Sequence, residues 1–389
     1  MNALRKKISI LLFSPYYPPH IGGLESHADE FNKHLSERGV SIVVFTPRLP
    51  DSAPEREILH DDVRVIRFPA FELIRNYPVP KLWSLKFWSL WRELFHPDTD
   101  IVISRTRFFL TSLMALVYAK ARKKKWVHIE HGSDFVQLSS AFKTFFAKLY
   151  DHSFGRLIFR CSDKNVSISK AVRRFVGRFD KRTSPVIYRG LETRTIDAIA
   201  PDTDIRARYP GKVILTFVGR LYKWKGVADS IMAMRSLPED MKSKIVFLII
   251  GDGEDFSSLK ALSQNERCIE MLGSLPTKRA IAILKSSDIY LHSAHPGGGL
   301  STSLLEAMYC GCVVIATPHE GADEVVRDGE NGLLVQPPFN PRSLRISIER
   351  TSTDTQETRS LSECATKSIQ EKFDWEASVE EYLSLFEQK

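Results

Sequence analysis

The chain has 389 residues, 43% hydrophobic and 26% charged, which is too apolar for a disordered segment and long enough for two soluble domains. No stretch approaches the roughly 20 apolar residues of a membrane-spanning helix, and five cysteines without metal-ligand spacing exclude a disulfide framework and point to reduced thiols in a cytosolic compartment. The net charge of +8 is uneven: residues 1–190 carry 32 Lys/Arg against 18 Asp/Glu, a net +14, and residues 191–389 carry 23 against 29, a net −6. The basic half therefore suits an anionic ligand or surface, and anionic lipid fits at least as well as nucleic acid, for which no motif is present.

In chain order, Ile8–Phe13 follows a basic start that mimics a signal peptide. The run is short and meets Pro15, Pro18 and Pro19 at once, so it reads as a buried strand. "PPHIGGLESH", Pro18 to His27, comes next. There Gly22 and Gly23 let backbone approach a ligand at a helix N-terminus that favours an anion. A plain βα turn explains the same letters. Leu24, Ala28, Phe31 and Leu35 then share one face of a helix over Leu24–Arg38. Strands are expected at Ser41–Phe45, Val63–Phe68, Ile101–Ser104 and Trp126–Glu130.

"KLWSLKFWSLWRELF", Lys81 to Phe95, mixes Trp83, Phe87, Trp88 and Trp91 with Lys81, Lys86 and Arg92. That mixture suits a bilayer interface, the alternative being a core helix with one buried face. "KARKKKW", Lys120 to Trp126, is either part of a basic rim or a solvated turn. "HIEHGSDF", His128 to Phe135, ends a strand with His131 before Gly132. With Asp134 close by, His131 is a candidate polar contact for a reacting hydroxyl, against the commoner structural role of a lone histidine.

The βαβ rhythm restarts after "LETRTIDAIAPDTDIRARYPGK". Strands follow at Lys212–Val218, Ile245–Ile250, Ile289–His292, Val313–Ala316 and Gly332–Val335. Such alternation implies α/β architecture with parallel strands covered on both faces. The simplest account is two doubly wound, Rossmann-like halves with a boundary near 192–211, whose ligands lie beyond the strand carboxyl ends in a cleft between them. In "FVGRLYKWKGV", Phe217 to Val227, Arg220 and Lys225 sit at such an edge behind Gly219. Together they can neutralise a diphosphate, although exposed basic loops are common.

"HPGGGLSTSLLEAMYCG", His295 to Gly311, fits a capping box with Ser303 at the N-cap and Glu306 at N3. Its glycines exceed what a cap needs and suggest a phosphate cradle. Glu306 can also accept hydrogen bonds from a vicinal diol such as ribose. Cys310 and Cys312 read as small core residues. Near the end, Trp375, Val379, Tyr382 and Phe386 form a stripe for burial.

These stretches in this order, with "GDGED", "LGSLPTKRAIAILKSSDIYLHSA", "VVIAT" and "GADEVV…GENGLLV", resemble the family-4 retaining glycosyltransferases of the GT-B fold over nearly the whole chain. The resemblance implies an acceptor-binding domain over 1–192 and a nucleotide-sugar domain over 193–374. The terminal helix over 375–389 would return to the first domain. It implies a catalytic set of Arg220, Lys225, His131 and Glu306: Arg220 and Lys225 on the diphosphate, Glu306 on the ribose and His131 on the transferred sugar. Gly22, Gly23, Gly219, Gly298, Gly299, Leu300, Ser301, Thr302 and Ser303 would bring backbone to the donor, and Leu272 and Leu275 would border its base. No metal or cofactor is expected, because the two cations take a metal's role. The leaving phosphate would help to deprotonate the acceptor in front-face transfer.

The expected donor is a UDP- or GDP-sugar, and the expected acceptor is lipid-linked or a glycan. "IGGLESH" echoes a loop of relatives that glycosylate membrane phosphoinositides. The implied location is cytoplasmic, peripheral on the inner face of the membrane. Two positions depart from the family pattern. Gly298 stands where relatives carry a sugar-binding carboxylate, and Arg189 in "YRGLET" replaces an Asn. The competing readings are a non-catalytic binding protein on a decayed transferase scaffold, which Gly298 favours, and a nucleotide-sugar epimerase, which shares the fold but not this set of motifs.

Overall fold

The computed structural model describes residues 8–20, 22–74, 77–96, 98–136, 141–296, 299–353 and 355–388. The chain divides into two compact units. Unit 1 runs to Gly190 and resumes at Trp375, and unit 2 is Leu191–Asp374.

Unit 1 is built on β1 (Ser9–Phe13), β2 (Ser41–Pro47), β3 (Arg56–Leu59), β4 (Val63–Phe68), β7 (Ile101–Arg105), β8 (Lys125–Glu130) and β9 (Lys164–Ser167), with a separate hairpin of β5 (Ala70–Ile74) and β6 (Tyr77–Pro80). The sheet order is β3-β4-β2-β1-β7-β8-β9. All its pairs are parallel except β3 with β4. Alternate residues feed opposite faces. Ile10 and Leu12 join the core cluster that holds Phe31, Leu35 and Tyr382, while Leu11 and Phe13 join the one that holds Phe87, Leu90 and Trp126. Burial on both faces is why these strands read as continuous apolar runs.

Unit 2 repeats the design with β10 (Val213–Val218), β11 (Ile245–Ile250), β12 (Ile269–Gly273), β13 (Ile289–His292), β14 (Val313–Ala316) and β15 (Leu333–Leu334). They form one parallel sheet in the order β12-β11-β10-β13-β14-β15. Leu215 and Phe217 face one core cluster, and Ile214, Val246 and Leu248 face the other. Both units are thus doubly wound α/β.

The strands expected from hydrophobic runs are present within one or two residues. Four further strands were unmarked by any such run: β3, the hairpin and β9. β12 was also unmarked, because its residues are only partly buried and leave a weak apolar signal. The terminal helix Trp375–Glu387 sets Trp375, Val379, Tyr382 and Phe386 into the unit 1 core. A Cβ on Gly190 would stand 2.3 Å from the Trp375 backbone nitrogen, so only glycine lets the chain pass there.

The segment Lys81–Phe95 is helical only over Leu85–Glu93. Phe87 and Leu90 are buried, while Trp83 lies before the helix and is exposed. In "KARKKKW", Trp126 is fully buried in β8. Lys125 Nζ donates to the Leu385 and Phe386 carbonyls at 2.9 and 3.2 Å, placing a cation at a helix C-terminus. Neither residue forms part of an outer basic rim.

Candidate functional site

In unit 2 the chemistry gathers at the carboxyl edge of the sheet. β10 ends at Val218, and the chain passes through Gly219 and Arg220 into the turn Lys223–Lys225. Gly226 follows at φ 65, and a Cβ there would stand 1.8 Å from the Ser293 carbonyl oxygen. This turn therefore presses against the loop after β13 in a way only glycine permits. Ser293 Oγ donates to the Gly226 carbonyl at 2.8 Å and locks the contact.

Lys225 Nζ meets Glu320 Oε2 at 2.7 Å. Glu320 is buried, sits at φ 51, and has its pKa raised, by burial first and against the pull of Lys225. His292 Nε2 lies 3.7 Å from the same carboxylate, beyond hydrogen-bond reach. Burial and the Lys225 charge hold this imidazole neutral, with its pKa near about 3. The Tyr290 hydroxyl ties the edge together, donating to the Val218 carbonyl at 3.2 Å and lying 2.8 Å from Ser303 Oγ. It joins the end of β10, which leads to Arg220 and Lys225, to the start of the helix carrying Glu306.

That helix is Thr302–Tyr309, with Ser301 at its N-cap in extended conformation and no side-chain cap. The expected capping box is therefore not formed. The helix starts one residue before Ser303, so Ser303 is inside the first turn and its hydroxyl goes to Tyr290 and, at 3.2 Å, to Ser301 Oγ. Glu306 accordingly lies in the second turn rather than at N3. Leu300 is buried, and Gly299 precedes it at the edge of the described residues. Gly298 lies outside the described residues. Leu272 is the penultimate residue of β12 (Ile269–Gly273), and with Leu275 packs on the core cluster of Ile214, Val246 and Leu248. The structure thus brings Arg220, Lys225, Ser301, Thr302, Ser303 and Glu306 to one sheet edge, with Leu272 and Leu275 at the end of an outer strand.

In unit 1, His131 follows β8 and is half-buried. Arg105, the last residue of β7, donates from Nη1 to His27 Nδ1 at 2.7 Å and lies 3.5 Å from His131 Nε2. The two rings stand 4.9 Å apart. Burial first, and then the Arg105 charge, push both imidazoles well below their usual pKa. Arg105 itself is 0% exposed, and burial lowers it to about 10. Its Nε and Nη2 have no hydrogen-bond partner, and among the described residues no carboxylate pairs with it.

Asp134 turns to Arg178 at 3.3 Å instead of to His131. The loop after β8 is held by Glu130, whose Oε1 accepts the His131 and Gly132 backbone N–H groups at 3.0 and 2.7 Å. Arg107 donates to Glu130 at 3.1 Å and to Asp151 through two bonds of 3.0 Å. Burial would raise Glu130, but Arg107, His128 and the Gly132 N–H outweigh it and hold it near about 2. Gly22 is the extended N-cap of the helix Gly23–Glu37, which has no side-chain cap. His27 lies on the same helix as Glu25, which pairs with His20.

Sequence reading missed Glu320, His292 and Tyr290 in unit 2, and Arg105, Arg107, Glu130 and Asp151 in unit 1. The available signal was "ISRTR", two arginines at the carboxyl end of an apolar strand, where a cation has no reason to be unless something holds it. Among the described residues, no group of three or more His, Cys, Asp or Glu side chains is arranged to hold a metal ion.

Comparison with known proteins bears on this geometry. Residues 201–368 match the glycosyl transferases group 1, and residues 21–195 match glycosyltransferase family 4. An uncharacterized glycosyltransferase of Methanocaldococcus jannaschii is 46% identical over 389 residues, covering 98% of this chain and 99% of that protein. The phosphatidylinositol N-acetylglucosaminyltransferase GPI3 subunit of Saccharomyces cerevisiae is 23% identical over 325 residues, 82% of this chain and 70% of that one. Sucrose-phosphate synthase from Thermosynechococcus elongatus matches in structure with a TM-score of 0.79 at 20% identity, over 98% of both chains. Anabaena HepE in complex with UDP and glucose matches with a TM-score of 0.75 at 20% identity, over 97% of this chain and 99% of that one. At such identities the structural likeness speaks for the fold. The two family matches and the near-complete 46% relative speak for descent: the chain belongs to the family-4 glycosyltransferases, enzymes of the GT-B fold.

Proposed function

We propose that the protein is a retaining, metal-independent glycosyltransferase that moves a sugar from a UDP- or GDP-sugar to a lipid-linked or glycan acceptor, working at the cytoplasmic face of a membrane. The observation that carries the reading is the tie made by Tyr290, which sets the Arg220 and Lys225 loop against the helix N-terminus at Thr302. Two cations and outward backbone N–H groups at one sheet edge suit a diphosphate. Glu306 binds the ribose, the backbone of Gly299–Ser303 meets the phosphates, and Leu272 and Leu275 border the base. Gly219 gives the diphosphate loop its bare backbone. On unit 1, His131 stays neutral and offers a hydrogen bond to a sugar hydroxyl, beside the open backbone of Gly22 and Gly23. UDP in the HepE structure supports the donor class, and the GPI3 relative's name supports a lipid-borne acceptor.

As the leaving diphosphate gains charge in the transition state, Arg220 and Lys225 stabilise it where a metal ion would otherwise be needed. Arg220→Ala, Lys225→Ala and Glu306→Ala each remove about 2–4 kcal/mol of transition-state stabilisation, about 30-fold to 1000-fold in rate. Turnover of radiolabelled UDP- and GDP-sugars with lipid and glycan acceptors reads this out, and near-normal rates in all three variants would refute the site. Retention is read from the anomeric NMR signal of the product, and metal independence from unchanged turnover in EDTA. Gly298, in the place of a sugar-binding carboxylate, favours a second reading in which the donor binds without transfer. Donor-dependent thermal stabilisation with no turnover across that panel would select it.

A further inference from the structure

Among the described residues of unit 1, the large exposed apolar side chains gather mainly in two places, with Ile58 and Val117 standing apart. The helix Ala141–Tyr150 turns Phe142, Phe145, Phe146 and Leu149 outward at 71%, 63%, 51% and 54% exposure, while Ala147 faces the core. The chain continues through a π-helical turn, Asp151–Gly155, into the helix Arg156–Cys161, leaving Phe154 and Leu157 exposed as well. The outward rings pack on one another, with Phe142 and Phe146 at 4.9 Å and Phe145 and Phe146 at 5.7 Å. A contiguous patch of this kind marks a surface that is covered in use.

The second place is Trp83 and Leu85, 73% and 87% exposed, at the start of the helix Leu85–Glu93. Ring contacts on either side of the β5–β6 hairpin connect the two. Trp83 packs on Phe71 of the β5–β6 hairpin at 5.5 Å, and Tyr77 of the same hairpin meets Phe108 at 5.2 Å. Phe108 meets Tyr150 at 5.5 Å, and Tyr150 meets Phe154 at 5.3 Å.

Charge decides the occupant. From residue 141 to residue 182 there are 11 Lys/Arg and three Asp/Glu, and of the three, Asp151 is spent on Arg107. Lys148, Arg156 and Arg160 are exposed among the rings. At the foot of the patch Arg156 and Arg178 line a cavity of about 380 Å³ with Phe135, His152 and Phe179; the pair of Arg178 with Asp134 at 3.3 Å is exposed, and a phosphate can take the carboxylate's place. A second copy of this half would set like charges against each other. An anionic bilayer offers apolar depth for the rings and phosphates for the cations.

We infer that Phe142–Leu157, joined to Trp83 and Leu85, is a docking surface for an anionic lipid bilayer, with head-group phosphate seated between Arg156 and Arg178. This deepens the membrane-face part of the proposed function and rests on it for the class of partner, but not on the donor site. It also moves the centre of contact away from the segment Lys81–Phe95, which the sequence singles out, to a helix that it does not.

The test is co-sedimentation of the full chain with phosphatidylglycerol–phosphatidylcholine vesicles and with pure phosphatidylcholine vesicles. The expected result is binding to the anionic vesicles, weakened by salt, and lowered about tenfold or more by F145S/F146S and again by W83S/L85S. R156E lowers binding to anionic vesicles only. Circular dichroism checks that the variants fold, and donor-sugar hydrolysis in lipid-free solution stays at the wild-type level in each. Wild-type-like vesicle binding by both double variants overturns the surface while leaving a membrane role intact. No binding by the wild-type protein overturns both. A lipid-free dimer that F145S/F146S dissolves, without change in vesicle binding, assigns the patch to a second copy instead. Loss of donor turnover on Lys225→Ala with vesicle binding unchanged keeps the two proposals separate.

Discussion

Lys225 reaches Glu320 at 2.7 Å, so its ammonium is oriented before any anion arrives. Glu320 meets the cost of that with its own burial and with a left-handed backbone. Glu320→Gln keeps the shape and loses the charge. Lys225 is then less firmly placed, and turnover falls about tenfold while donor binding changes less, on the scale of one weakened charge-assisted bond. Equal losses in kcat/KM and in donor affinity would show that Glu320 acts only through binding.

Gly226 permits no such compromise. Gly226→Ala puts a Cβ 1.8 Å from the Ser293 carbonyl oxygen at a backbone angle that alanine resists. It should abolish turnover by displacing Lys225, whereas alanine at Gly211, also at positive φ but with open space around it, should cost only about 1 kcal/mol in stability. Arg220 and Lys225 were legible because a strand, a glycine and two cations occur in order. Glu320 was not, since it is 95 positions from Lys225 and their loops meet only because β10 and β14 both flank β13 in the sheet.

Among the elements, the helix Thr302–Tyr309 shows where pattern and packing part. Ser303 and Glu306 have capping-box spacing, yet the Ser303 hydroxyl goes to Tyr290 because the buried phenol needs a partner and the β13 edge presents it there. Ser303→Ala and Tyr290→Phe should each cost about 1 kcal/mol. In a double-mutant cycle read by urea unfolding, Ser303→Ala should cost almost nothing once Tyr290→Phe is made, whereas Tyr290→Phe in the Ser303→Ala background still loses its bond to the Val218 carbonyl. A capping role would instead make Ser303→Ala costly in the Tyr290→Phe background too. The helix Ala141–Tyr150 departs in the other direction. Phe142, Phe145, Phe146 and Leu149 recur at helical spacing, yet they face outward and Ala147 takes the inner side. A hydrophobic pattern states that a face is apolar and leaves open whether protein or something else covers it.

At the scale of the whole molecule, three imidazoles are held neutral by burial, His27 and His131 in unit 1 and His292 in unit 2. Their folded pKa values lie below the unfolded value near 6.5, so below that pH the unfolded chain binds more protons. The stability they contribute is present above about pH 6.5 and is lost as pH falls, by up to about 1.4 kcal/mol per pH unit for each. Glu130, held near about 2, adds a second loss as pH drops from its unfolded value of 4.5 toward 2. Asp151 and Glu320, raised by burial, act in the opposite sense, their share being lost as pH rises. Five of the six tryptophans lie in unit 1, so urea titrations followed by tryptophan fluorescence report on that unit. Its midpoint should fall between about pH 7 and about pH 5, with the fall reduced in His27→Gln. A midpoint independent of pH in that window would contradict neutral burial of His27 and His131.

By itself the sequence determined the doubly wound α/β class, the placing of nearly all the long strands, and the loops that end at Gly22, His131, Arg220 and Thr302. It did so because strands buried on both faces and amphipathic helices write their periods locally. Only the tertiary structure decided which charges meet: Lys225 with Glu320, Arg105 with His27 and His131, and Arg107 with Glu130 and Asp151. It also decided that the rings from Phe142 to Leu157 face outward. Those outcomes depend on strand order and on what lies across a packed face, and neither leaves a periodic trace in a single chain.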